Sequence, residues 1–106
     1  MARAMIKVPE RLRRGEAFEI RTLIAHPMET GFRSKEGGGL VPRDIISRFV
    51  CRYNGEQVFA ATLYPAITAN PYIAFHTVAA DSGVLEFSWT DDRGSTQTES
   101  VRIVVE

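Results

Sequence analysis

Asn54-Gly55 is the pair of residues that most restricts the fold of this chain. Both residue types tolerate the positive φ angles of a tight type I′ turn, whose twist matches that of two antiparallel strands. The runs on either side read as those strands. Ile45 to Tyr53 alternates, with Ile45, Phe49, Cys51 and Tyr53 on one face and Ile46, Arg48, Val50 and Arg52 on the other. Gln57 to Leu63 returns with Phe59, Ala61 and Leu63 on one side. A hairpin alone is marginal in water, so this one must find further strands to cover its apolar face.

Candidates for those strands follow from period-two alternation. Met5 to Val8 is a short strand ended by Pro9, and the polar stretch Glu10 to Glu16 reads as a turn. Phe18, Ile20, Thr22 and Ile24 share one face of the next strand, opposite Glu19 and Arg21. Tyr72 to Ala79 carries Ile73 and Phe75 on one side. Leu85, Phe87 and Trp89 alternate with Glu86 and Ser88, and Val101, Ile103 and Val105 with Ser100, Arg102 and Val104. No segment has a helical period. About seven short strands in 106 residues predict a single domain over 1–106, an all-β, immunoglobulin-like antiparallel sandwich. Cys51 is the only cysteine, so an antibody-type disulfide is excluded.

Charge removes some functions. Thirteen Lys and Arg balance thirteen Asp and Glu, which argues against a nucleic-acid binder, since phosphate neutralisation needs a basic face. The tight group Arg11, Arg13 and Arg14 reads as a solvated turn. No apolar run approaches the roughly 20 residues of a membrane helix. The first residues lack the apolar core of a signal peptide, so the chain is expected to be cytoplasmic, or exported without its own signal.

The candidate chemistry is sparse. Cys51 lies between Phe49 and Tyr53 on a strand face and is expected to be an inert core thiol. His26 and His76 sit on separate elements with no ligand spacing, so no metal and no cofactor are expected; His26 reads as a strand-end cap and His76 as a surface residue. Asp91 and Asp92 read as solvated turn carboxylates. Gly37-Gly38-Gly39 lacks the Lys-Ser or Lys-Thr of a phosphate loop and signals flexibility alone.

The connection from His26 to Arg43 is long enough to be functional or mobile. At its start, Pro27 ends strand pairing and Met28 offers an adaptable thioether. Two readings stay open there: a partner contact through His26, Pro27, Met28 and Glu29, or a structural strand exit with Met28 tucked over the sandwich end. Leu23, Ile46, Val50 and Val104 place apolar residues on faces opposite the core-facing ones, which suggests an interface. Ile46 and Val50 join the loop residues as candidate partner contacts.

A resemblance goes further. The segment Thr22-Leu23-Ile24-Ala25-His26-Pro27-Met28-Glu29-Thr30-Gly31 carries it, with Pro42-Arg43, the strand Phe49 to Asn54-Gly55, Pro65-Ala66, Ala69-Asn70-Pro71-Tyr72, and Leu85-Glu86-Phe87-Ser88-Trp89-Thr90-Asp91-Asp92. On these residues the chain resembles the SoxZ family of sulfur-oxidation proteins. The resemblance implies a small non-catalytic β-sandwich that pairs with a SoxY-like protein in thiosulfate oxidation. SoxY holds sulfur intermediates on a cysteine near its flexible C-terminus and presents them to other Sox enzymes in transient contacts. The resemblance also implies a periplasmic location, with export as a passenger of the partner. With the strand Val101 to Val105 at its end and no glycine-rich cysteine tail in the sequence, the chain is expected, on this resemblance, to be the non-carrier subunit. Rival classes are a small sulfur transferase using Cys51 and a stand-alone adhesion or redox-partner sandwich.

Overall fold

The computed structural model describes residues 3–65, 67 and 69–106. Two sheets face each other. The smaller holds β1 (Ala4–Lys7), β3 (Ala17–Ile24) and β6 (Tyr72–Val78) in the order β1-β3-β6, all antiparallel. The larger holds β2 (Arg11–Leu12), β4 (Ile46–Tyr53), β5 (Glu56–Thr62), β7 (Gly83–Asp91) and β8 (Thr96–Val105) in the order β2-β8-β7-β4-β5. The expected all-β, immunoglobulin-like sandwich is what forms. Residues 66 and 68, in the connection from β5 to β6, lie outside the described residues.

The hairpin forms as its turn chemistry requires: Asn54 (φ 49°) and Gly55 (φ 85°) both adopt the left-handed conformation, and Cys51 pairs with Phe59 beyond them. Between the sheets lies an aromatic core centred on Phe49, which is fully buried. Its ring centroid is 5.3 Å from Trp89, 6.0 Å from Phe75 and 6.0 Å from Phe59. Phe59 of the larger sheet stacks on Phe75 of the smaller at 4.3 Å. Such ring pairs contribute about 0.5–1.5 kcal/mol beyond the burial of their area, so they fix how the sheets sit. Thr22, the one polar residue of the β3 inner face, donates its hydroxyl to the Ile73 carbonyl at 3.0 Å.

Two expectations are corrected. Residues 10–16 are not only a turn: Arg11 and Leu12 pair in parallel with Val104 and Val105, and Leu12 enters the core. The arginines there are solvated as expected, and two make exposed ion pairs, Arg11 with Glu106 and Arg14 with Asp81, each at 2.7 Å. Ile46 does not share the outer face with Val50. The β4–β7 register shifts between Ile46 and Arg48, and this irregularity turns Ile46 inward alongside Ile45 and Phe49.

The molecule measures 60 × 19 × 19 Å. A nine-residue strand such as β7 spans about 30 Å, so roughly half of the long axis lies beyond the strands. Much of that half is the connection from β3 to β4. It returns on itself through the bridges Glu29↔Asp44 and Ser34↔Leu40, closed at its tip by Lys35 and Gly39. The arms meet closely at Gly31 (φ 89°), where an added Cβ would lie 3.0 Å from Cβ of Arg43.

Candidate functional site

The strand exits at one end of the sandwich wall a cleft of about 500 Å³. The exit of β3 supplies His26 and Pro27. The entry to β4 supplies Asp44 and Ile46. The end of β7 supplies Trp89 and Asp91, and the following turn supplies Arg93. Each position has a local cause. His26 leaves β3 with its amide bonded to Asn70 Oδ1 (2.9 Å), while the Asn70 amide bonds back to the His26 carbonyl (2.7 Å). Pro27 cannot extend the ladder. Asp44 is placed by reciprocal backbone bonds with Glu29 at 2.8 and 2.9 Å. Asp91 Oδ1 accepts the Arg93 and Ser95 amides, both at 2.9 Å, which shapes the turn into β8.

The cleft leaves polar atoms unmet. Arg93 Nε binds Asp44 Oδ2 at 3.1 Å, but Asp44 Oδ1 is buried without a hydrogen-bond partner among the described residues. The indole Nε1 of Trp89, a residue only 2% exposed, is buried without a partner among them as well. Buried donors and acceptors are rarely left so, because each costs about 1–3 kcal/mol. Beside the cleft, Arg43 makes a two-pronged bond to Asp92 at 2.8 and 2.9 Å. That guanidinium holds the Asp92 carboxyl below the usual carboxylate range; partial burial opposes the shift and the Ile45 amide adds to it. Asp92 is thus an anchored group rather than a solvated turn carboxylate.

Of the residues expected to contact a partner, His26 and Pro27 line the cleft, with Pro27 exposed. Glu29 is partly buried and paired with Arg33 at 2.6 Å. Met28 and Ile46 are spent on the chain's own core. Met28 is 4% exposed, and its sulfur accepts the Ile46 amide at 3.2 Å. Met28 therefore follows the structural reading of that loop, and direct contact by Met28 or Ile46 is removed by burial. Val50 lies on the outer face of the larger sheet, away from the cleft, covered by its neighbours to 8% exposure. His76 is exposed on β6 opposite Glu19 and does not approach His26, which sits beyond the other end of that strand. Cys51 is fully buried, and burial pushes its thiol up to about 12.

Sequence reasoning missed a surface. Among the described residues eight large hydrophobics are exposed, and six of them lie at or beside the cleft end: Met5, Phe32, Leu40, Tyr64, Ile67 and Tyr72. Three residues form a direct cross-strand row on the outer face of the smaller sheet, with Met5 paired to Leu23 and Leu23 to Tyr72. This row lines a shallow apolar groove flanked by Lys7 and Arg21. The one sequence signal for it was Leu23, an apolar residue on the face opposite Ile20 and Ile24.

The fold and this exposed end define a class: small immunoglobulin-like sandwiches that keep an apolar, polar-edged end uncovered. The sequence profile of the family described as Sulphur oxidation protein SoxZ matches residues 6–102, and the chain belongs to that family. A comparison with curated protein sequences finds no match. Among solved structures, the chain is similar to the sulfur carrier protein SoxY from Chlorobium limicola f thiosulfatophilum (TM-score 0.67, 13% identity, 97% of this chain and 78% of that one). It is also similar to a superoxide reductase (neelaredoxin) from Ignicoccus hospitalis (TM-score 0.73, 18% identity, 97% and 80%). A third is the CARDB domain of PF1109 from Pyrococcus furiosus (TM-score 0.55, 14% identity, 99% and 95%). At these identities the likeness is one of fold. The chain is a Sox-type sulfur-oxidation subunit.

Proposed function

We propose that this subunit is the non-catalytic half of a two-chain sulfur carrier in thiosulfate oxidation. It pairs with a SoxY-like protein that holds the sulfur intermediates on a C-terminal cysteine, and it helps present that protein, in transient contacts, to the other Sox enzymes. On this reading the pair works in the periplasm and this chain is exported with its partner. The observation that carries the proposal is the apolar row Met5–Leu23–Tyr72, with Met5 64% and Tyr72 59% exposed. Exposed apolar residues in contiguous register mark an interaction face more often than scattered ones do. The buried, high-pKa thiol of Cys51 supports a role without sulfur chemistry of its own, because the thiolate is the reactive form. The loop residues His26, Pro27 and Glu29 border the same end and extend the proposed contact.

Co-expression with a SoxY-like partner tests this. A one-to-one complex should survive gel filtration in about 0.5 M salt, since screening weakens charge contacts far more than apolar ones. Tyr72→Asp and Met5→Asp should each weaken the complex by about 2 kcal/mol, roughly thirtyfold, at unchanged melting temperature. A chain that stays monomeric beside its partner at micromolar concentration overturns the proposal.

A further inference from the structure

We propose that His26, Asp44 and Asp91 form a binding site for a divalent transition-metal ion of the zinc type. The three residues come from three different elements, and one ligand atom from each lies within 4.8 Å of the others. One imidazole and two carboxylates suit zinc, manganese or ferrous iron better than calcium or magnesium, which take all-oxygen shells. Three protein ligands beside an open cleft leave a coordination position for water or an incoming anion.

The carboxylates are already oriented. Arg93 holds Oδ2 of Asp44, which leaves Oδ1 buried and unmet. The Arg93 and Ser95 amides hold Oδ1 of Asp91, which leaves Oδ2 unbonded among the described residues. Outer contacts of this kind fix metal ligands in place. A second observation points to a ligand independently of the acids. Trp89 lines the same cleft, is 98% buried, and its N–H has no acceptor among the described residues. A metal-bound hydroxide or anion supplies that acceptor, just as the metal supplies a partner for Asp44 Oδ1.

Binding requires a local change. Donor atoms around a four-coordinate zinc lie roughly 3.3 Å apart, so the widest pair must close by up to about 1.5 Å. His26 must also give up a hydrogen bond. Its Nδ1 accepts the Met28 amide at 2.9 Å, which leaves the ring proton on Nε2. Coordination through Nδ1 displaces that amide. Coordination through Nε2 moves the proton to Nδ1, where it faces the same amide. Either way the peptide between Pro27 and Met28 turns. Met28 holds a left-handed φ of 53°, uncommon for a residue with a side chain, so the segment that must move is one held in an unfavourable conformation. Metal occupancy and the conformation of the 26–29 loop are therefore coupled.

The test uses the full chain, expressed without a histidine tag and dialysed against zinc chloride, with bound metal measured directly. Trp89 is the only tryptophan, so its fluorescence reports on the site. One zinc per chain is expected, with an emission change that saturates at the same stoichiometry. Asp44→Asn, Asp91→Asn and His26→Gln should each weaken binding by roughly tenfold or more. His76→Gln and Cys51→Ala should leave it unchanged. Thermal melts identify the folded variants; where one carboxamide variant fails to fold, the other and His26→Gln decide. Absence of stoichiometric zinc, binding indifferent to the folded site variants, or loss of binding in His76→Gln overturns the proposal.

Discussion

The two ends of the sandwich are built on opposite terms. At the end holding Asn54-Gly55 and the turn at 81–83, the polar groups of the turns find partners within the chain. The Tyr53 hydroxyl donates to the Asp81 carbonyl and accepts the Ala80 and Asp81 amides. Asn54 Oδ1 takes the Val84 amide, Ser82 Oγ takes the Val105 amide, and Gly15 donates to Ala79. At the other end, among the described residues, two buried polar atoms lack partners and six large apolar side chains face solvent. One chain closes one end with short turns and leaves the other to long connections. A stability requirement acts on both ends equally, so the contrast marks the open end as the one that meets something else.

The strongest way to break this comparison is a crossed pair of substitutions. Tyr53→Phe removes one hydroxyl and strands two amides and a carbonyl, so it should cost about 2 kcal/mol of stability while leaving partner affinity unchanged. Tyr72→Asp should do the reverse, with stability within about 0.5 kcal/mol of the parent because its side chain is exposed. Urea melts and titration with the partner separate the two effects. If Tyr53→Phe weakens the complex as much as Tyr72→Asp does, the ends are not functionally distinct.

The closed end was also the more legible one. A type I′ turn depends on two adjacent residues and their φ angles, so Asn54-Gly55 could be read locally. The alternation of β3, β7 and β8 was readable because one face of each is buried. The irregularity between Ile46 and Arg48 was not, since one shifted residue reverses face parity and leaves the composition of the strand unchanged. Strand β2 was missed because Arg11 and Leu12 owe their conformation to Val104 and Val105 at the far end of the chain. The cleft escaped for the same reason. His26, Asp44 and Asp91 have no common spacing and meet only when three connections converge. The burial of Met28 was one of two readings the residues left open, and the inward turn of Ile46, whose amide its sulfur accepts, decides between them.

A smaller effect tests whether the core between the ends is chemically silent. Cys51→Ala leaves a small cavity and should cost about 1 kcal/mol with the partner complex intact. A maleimide should label wild-type Cys51 only as fast as the protein opens, since burial holds the thiol protonated at neutral pH. The raised folded pKa also fixes a sign: stability should decline as pH rises above about 8.5–9, where the unfolded thiol ionises first. Rapid labelling of native protein would return Cys51 to consideration as a reactive group.

The smallest expected effect lies at the open end, where Arg43 and Asp92 tie the long connection to the turn after β7. The hydrogen bond from Arg43 lowers the folded pKa of Asp92. A depressed carboxylate stabilises the fold above its unfolded pKa of about 3.9, and that contribution disappears as pH falls through the lower folded value. Arg43→Gln should therefore be less stable than the parent near neutral pH, and the two stability curves should converge in acid. The guanidinium is half exposed, so solvent and salt screen the pair and high salt should narrow the neutral-pH difference. The same substitution loosens the arm that carries Asp44 into the cleft, and zinc affinity should fall with it. A neutral-pH difference that persists undiminished in both acid and high salt would mean that Arg43 acts through packing, and that the Asp92 contact is incidental to holding the open end in place.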